Sequence, residues 1–204
     1  MMKMARGAAG SDRSGRAGWQ MPRLGAEQDS IMMPMHITSC RQEDLDVLEE
    51  RLPSSSAVSY HAQRFARQVS GTSTFLVAWL DAQPAGTCEV RWDGCVAPEV
   101  RAVVPGCPEI NGLQVVGMLQ SRGIGSALIR HAEQLAGERG AHLIGLGVDD
   151  HGNPRAAALY ARLGYRPTIR YLDRYFYTDD TGAEHPVEDP AIFLVKELTP
   201  KHQP

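Results

Sequence analysis

No apolar run in this 204-residue chain approaches the roughly 20 residues that a membrane-spanning helix needs, and no continuous apolar stretch of the secretory kind opens it. Neither a membrane span nor a signal peptide is expected, and the cytoplasm is the expected compartment. Clustered positive charge is missing too: 21 Lys and Arg stand against 24 Asp and Glu, a formal net charge of −3. Such a chain has no field to gather nucleic acid or anionic lipid, so neither is expected as a partner. Only four cysteines occur, Cys40, Cys88, Cys95 and Cys107, with no Cys-x-x-Cys pair. They are too few and too widely spaced for a disulfide scaffold, so reduced thiols are expected, and no spacing of His131 or His185 argues for a metal. What remains is 43% hydrophobic and 22% charged, an average globular composition that excludes collagen-like and wholly disordered chains.

The length suits one domain with trimmings. Residues 1–34 hold five Gly, scattered Ser, Ala and Arg, and no apolar period, which reads as a flexible N-terminal tail. Five basic against three acidic residues make that segment +2 and leave −5 for residues 35–204. Seven of the eight Met fall at or before position 35, so Met32, Met33 and Met35 stand beside Met1 as candidate starts. The expected domain spans 35–199, with 200–204 as a C-terminal tail.

Inside it the pattern alternates. Met35–Thr38 reads as a strand and Gln42–Leu52 as a helix, with Leu45, Val47, Leu48 and Leu52 at helical spacing. A second helix is expected over Ala57–Val69, capped from Ser54–Ser56 and stopped at Gly71. Strands Thr74–Leu80 and Pro84–Trp92 form a hairpin around Asp81-Ala82-Gln83. Residues 93–108, punctuated by Gly and Pro, read as a connection to a strand at Glu109–Val116.

Gln120-Ser121-Arg122-Gly123-Ile124-Gly125 follows that strand directly and precedes Ile124, Leu128, Ala132 and Leu135 at helical spacing. A glycine turn between strand and helix suits an anion: the main chain approaches closely, and the unpaired N–H groups of a helix start point at it. Neither the three-glycine dinucleotide fingerprint nor a P-loop Gly-Lys-Ser/Thr is present. Residues 153–165 read NPRAAALYARLGY. Together the two segments resemble the GNAT superfamily of acyl-CoA-dependent N-acyltransferases, which combines a Gln/Arg-x-x-Gly-x-Gly/Ala turn with a later N-x-x-A-x-x-L-Y-x-x-x-G-F/Y segment. The resemblance covers roughly Met35 to Leu198. Two departures are Gly117, where Pro is common, and one extra residue between Val148 and Asn153.

That resemblance implies an α/β (α+β) fold: a mixed, mostly antiparallel sheet of six to seven strands, helices on both faces, and central parallel strands that splay apart. It implies acetyl-CoA or another acyl-CoA as co-substrate, without a metal. The implied cofactor contacts are Leu113, Gln114 and Val115 on the splayed strand, then Gln120, Ser121, Arg122, Gly123, Ile124, Gly125 and Ser126 at the turn, with Asn153 and Arg155 later. A main-chain N–H near Val115 would polarise the thioester carbonyl. Tyr160 falls where the family places a general acid, with packing beside Leu159 and Leu163 as the plainer reading. Glu109 resembles the family's base, against a simple salt-bridged strand end. Asn153 serves equally well as an N-cap. The strand Leu143–Val148 alternates Gly with apolar residues and so would permit close backbone approach.

For the acceptor, Asn111 shares a strand face with Glu109, and the stretch Asp173–Asp189, read as the connection between the last two strands, carries six carboxylates against Arg174. With Tyr175, Phe176 and Tyr177 interleaved, it suits a cationic small-molecule amine, unless it is merely a solvated loop. Asp173 and Tyr175 are its candidate contacts, and Trp79, Trp92, Tyr60 and His61 are further pocket walls or packing residues. Other readings kept open are a carrier-protein-bound acyl donor, acetylation of protein lysines or N-termini, and a non-catalytic acyl-CoA sensor. A homodimer is also compatible.

Overall fold

The computed structural model describes residues 35–150, 154–179 and 181–199. The expected tails at 1–34 and 200–204, and Asn153, lie outside the described residues.

Seven strands form one sheet: β1 (Met35–Ser39), β2 (Ser73–Leu80), β3 (Gln83–Arg91), β4 (Glu109–Val115), β5 (Leu143–Asp149), β6 (Arg166–Thr178) and β7 (Glu184–Glu197). Their spatial order is β1-β2-β3-β4-β5-β7-β6, and β4 with β5 is the one parallel pair. This is the mixed α/β architecture that the resemblance implied. On one face pack α4 (Ile124–Glu138) and α5 (Pro154–Arg162), burying Ile124, Leu128, Ile129 and Ala132 against Leu76, Val90, Ile110 and Leu146. On the other face lie α1 (Leu45–Arg51) and α2 (Tyr60–Val69), over Phe75 and Val77. A separate cluster on α3 (Pro98–Val103) gathers Cys95, Val100, Cys107, Tyr171 and Phe193. All four cysteines are unpaired and buried, and burial pushes their thiols up to about 11 or 12.

Several boundaries differ from the sequence reading for local reasons. The first helix begins as a 3-10 turn at Gln42–Asp44. The α2 helix begins at Tyr60 rather than Ala57, because Ser59 Oγ accepts the Ala62 N–H at 3.2 Å and acts as the N-cap. Ser54 Oγ takes the Tyr60 N–H at 2.9 Å, while Ser56 is used elsewhere, as described below. The hairpin between β2 and β3 turns on two residues, Asp81 and Ala82, both with positive φ. Residues 93–108 are not a plain connection: they contain α3, too short to show a period and entered through Pro98.

The largest correction concerns 173–189. Residues 173–178 and 184–189 are not a loop but the far halves of β6 and β7, paired from Asp173↔Asp189 to Thr178↔Glu184. Because β7 pairs with β5 only from Ala191 onward, this part projects from the sheet as a two-stranded ribbon. Its tip returns to the loop before α2: Ala57 N–H donates to the Thr178 carbonyl at 3.0 Å, and Ser56 Oγ accepts the Thr178 N–H at 3.2 Å. The ribbon therefore starts beside β5 and ends beside α2, which packs on β2, so it crosses the face above β5 and β4.

Candidate active site

Two left-handed residues shape the turn before α4. Ser121 has φ +64° and Gly123 φ +85°, which fold the chain back on either side of Arg122. The first intrahelical bond is donated by Ala127 N–H to the Gly123 carbonyl at 2.9 Å, so the N–H groups of Ile124, Gly125 and Ser126 precede the helical ladder. Nothing lies within 4 Å of where a Gly123 side chain would begin, which leaves that approach open. Arg155 on α5 donates to Ser121 Oγ at 2.9 Å and ties the helix to the turn. Together they border a cleft of about 650 Å³, walled by Leu113, Val115, Leu119 and the α5 residues Arg155, Ala156, Ala158, Leu159, Tyr160 and Arg162. Open N–H groups, a glycine and two guanidinium side chains are the donor set that a pyrophosphate needs.

The cleft exists because β4 and β5 part company. They pair only at Glu109↔Gly145 and Ile110↔Leu146. Beyond that point β4 carries an extra residue relative to β3, and Gly112 takes φ +58° at the bulge. A side chain there would run into the Arg64 guanidinium. Val116 N–H bonds the Ala85 carbonyl at 3.0 Å. Bonded and non-bonded positions alternate in an antiparallel ladder, so Val115, opposite Gly86, turns its N–H and C=O away from β3 and into the gap. There the Gln120 amide donates to the Val115 carbonyl at 3.4 Å.

A second cavity, about 330 Å³, opens on the other side of the splay, lined by Glu109, Asn111, Gly112 and Gly147, by Asp149, by Tyr171 of β6, and by Asp173, Tyr175 and Asp189 of the ribbon. Leu113 and Tyr160 line both cavities and mark the junction between them. Tyr160 is buried, edge-on to Tyr165, and burial raises its hydroxyl pKa, so it stays protonated at neutral pH.

Glu109 forms the floor of the second cavity. It is 2% exposed, and no hydrogen bond reaches its Oε2. Burial pushes its pKa up to about 7, against the opposing pull of Arg91 and Asn111. Arg91 lies between two carboxylates, with Nη1 at 3.6 Å from Glu109 Oε2 and Nε at 3.4 Å from Glu89 Oε2. Glu89 is wholly buried and takes a bidentate pair from Arg67, Nε at 2.7 Å and Nη2 at 2.8 Å. Burial alone would raise Glu89, yet the Arg67 bonds and charge hold its pKa below the ordinary range. A polar seam, Arg67–Glu89–Arg91–Glu109, thus crosses a face that is otherwise apolar on either side.

Of the residues expected from sequence, Leu113, Val115, Gln120, Ser121, Gly123, Ile124, Gly125, Ser126, Arg155 and Tyr160 converge on the cleft, and Glu109, Asn111, Asp173 and Tyr175 on the second cavity. Gln114 and Arg122 stand outside both linings, Gln114 because it sits opposite Thr87 with its main chain turned to β3. The glycines of β5 permit close approach by side chains: the Phe193 ring occupies the space beside Gly145, and the Tyr171 hydroxyl that beside Gly147. Trp79 and Trp92 are packing residues bonded to Thr38 and Thr74, and His61 is buried against Phe75. Sequence reading missed the rest of the α5 wall, although Arg155, Leu159 and Arg162 follow helical spacing. It also missed Glu89, Arg67 and Arg91, which no local pattern connects.

The family model described as "Acetyltransferase (GNAT) family" matches residues 39–165. Among solved structures, the ribosomal-protein-S18-alanine N-acetyltransferase from Escherichia coli is similar at 20% identity and a TM-score of 0.57, covering 81% of this chain and 95% of that one. NAA60 from Arabidopsis thaliana, in complex with a bisubstrate analogue, gives 19% and 0.58 over 82% and 100% of the two chains. The yncA protein from Salmonella typhimurium, with its cofactor acetyl-CoA, gives 18% and 0.55 over 83% and 97%. A search of curated proteins returns no match. Matched to the family model over more than half its length, and built on the splayed strands and glycine turn described above, the chain belongs to the GNAT family of acetyltransferases.

Proposed function

We propose that this protein transfers an acetyl group from acetyl-CoA directly to a primary amine of a small molecule. One observation carries the reading: a cleft with phosphate-type donors and a cavity with a buried carboxylate meet at Leu113 and Tyr160. The turn residues Ser121–Ser126 and Arg155 would hold the pyrophosphate of the co-substrate, and the open edge of β4 its pantetheine arm.

Acetyl-CoA supplies the thioester whose C–S bond breaks as the new C–N bond forms. Glu109 accepts the proton that the amine gives up, a role suited to a carboxylate poised near neutral pH. Val115 N–H, free of the β3 ladder, donates to the carbonyl oxygen as charge develops there. Tyr160, protonated by virtue of its burial, delivers a proton to the departing thiolate. The ribbon tied to the loop before α2 favours a small acceptor over a polypeptide running through, because it crosses above the second cavity.

The test is acetyl-CoA-dependent thiol release against small primary amines and short peptides, with CoA binding followed by calorimetry. Turnover with a small amine is expected. Turnover confined to peptides would move the acceptor to protein N-termini or lysines, and absence of CoA binding would overturn the reading of the turn.

A further inference from the structure

The second cavity holds more negative charge than one reacting amine uses. Glu109, Asp173 and Asp189 are among the carboxylates that line it, and no Lys or Arg does. The neighbouring cations are Arg91, between Glu89 and Glu109, Arg174, paired with Glu188 at 2.9 Å and Glu99 at 3.4 Å, and Arg64, whose guanidinium lies beside Gly112 and is drawn to Glu89. Neither Asp173 nor Asp189 has a salt-bridge partner among the described residues.

Asp173 and Asp189 also sit directly across from one another on the ribbon. Like charges in that position destabilise a strand pair. Tyr175 donates its hydroxyl to Asp189 Oδ2 at 2.9 Å, which orients one carboxylate without neutralising either. Burial raises the Asp173 pKa and Asp189 raises it further, with Arg91 opposing. A third carboxylate, Glu109, lies deeper in the same cavity, its Oε2 buried and without a hydrogen bond.

Resting on the N-acetyltransferase reading above, we propose that the acceptor is a small dication, whose reacting amine meets Glu109 while a second protonated amine is held by Asp173 and Asp189. The two cationic sites do different work. The amine at Glu109 loses its proton and becomes the amide nitrogen. The second keeps its charge throughout, so it binds ground state and transition state alike and belongs in KM rather than kcat.

Matched pairs test this: 1,4-diaminobutane against 1-aminobutane, and 1,5-diaminopentane against 1-aminopentane, by thiol release at saturating acetyl-CoA. The diamine should exceed its monoamine in kcat/KM by about tenfold, the scale of one part-exposed ion pair reinforced by a charged hydrogen bond. In Asp173→Asn that ratio should fall toward one through a higher KM for the diamine, and Asp189→Asn should act likewise. Asp173→Asn relieves a like-charge pair, so its thermal midpoint should not drop. Equal kcat/KM within each pair, or an advantage that survives in both variants, overturns the inference. Calorimetric binding of 1,5-diaminopentane to the CoA-loaded protein reads the cavity independently of turnover. Binding that is lost in Asp173→Asn, with no thiol release from any amine, would uphold the dication site and overturn the transferase reading.

Discussion

Replacing Glu109 by Gln should make the protein less active and, at alkaline pH, more stable. Burial lifts the folded-state pKa of Glu109 from the ordinary 4.5 to about 7. Between those values the folded chain holds a proton that the unfolded chain has released, so the stabilisation is complete below pH 4.5 and is lost as pH rises through 7. At about 1.4 kcal/mol per pH unit the loss comes to about 3 kcal/mol. Glutamine cannot titrate and escapes it. The unfolding free energy of Glu109→Gln relative to the parent should therefore climb by about 2–3 kcal/mol between pH 5 and pH 8. Taking the difference across pH cancels any constant change in packing, and carboxylates held low, such as Glu89, contribute equally to both proteins. Urea unfolding followed by far-UV circular dichroism at each pH measures it. A difference that stays flat from pH 5 to pH 8 would refute the reasoning, because Arg91 and Asn111 would then be holding the ionised form as well as water does. In the parent, kcat/KM should rise with pH to a plateau above a midpoint near 7. The variant should lose at least about a hundredfold at pH 8, the scale of a missing general base.

Tyr160→Phe should lower kcat about a hundredfold and leave the calorimetric affinity for acetyl-CoA within about twofold; unchanged turnover would remove Tyr160 from proton delivery. Gly123→Ala introduces a methyl at φ +85° where the turn is open, and should raise the KM for acetyl-CoA about tenfold at a stability cost of about 1 kcal/mol; an unaltered KM would detach Gly123 from phosphate binding. Arg67→Met removes both short hydrogen bonds to wholly buried Glu89 and leaves Arg91, at 3.4 Å, as its ion-pair partner, and should cost about 3 kcal/mol in urea unfolding. Adding Glu89→Gln to Arg67→Met should restore part of that loss, and a double variant no better than the single one would argue against a buried uncompensated charge.

The cofactor side of this protein was legible in the sequence because it is built from contiguous residues. A strand, a turn containing Gly123 and Gly125, and a helix follow one another, so spacing alone carries the anion-binding geometry. Tyr160 came from the resemblance, as one position of the segment 153–165, and the fold sets it at the junction of the two cavities. The failures were tertiary. A loop was expected over 173–189, rich in acidic and turn-forming residues, yet cross-strand pairing made it a ribbon anchored at Ser56, which lies 122 residues from Thr178. The resemblance carried Gln114 to the cofactor together with Leu113 and Val115, and the alternation of the ladder turns its main chain toward β3.

Periodicity and turn chemistry act over a few residues, so the strands, most of the helices and the phosphate-type turn follow from the order of amino acids alone. Charge placement does not. Glu109 owes its elevated pKa to burial at a cavity walled in part by a ribbon more than sixty residues away in sequence, offset by Arg91 on a neighbouring strand. Asp173 and Asp189 are merely two acidic residues until the hairpin register sets them face to face. An ionisable side chain takes its energy from whatever lies within a few ångströms of it, and in this protein the fold alone assembles those neighbours.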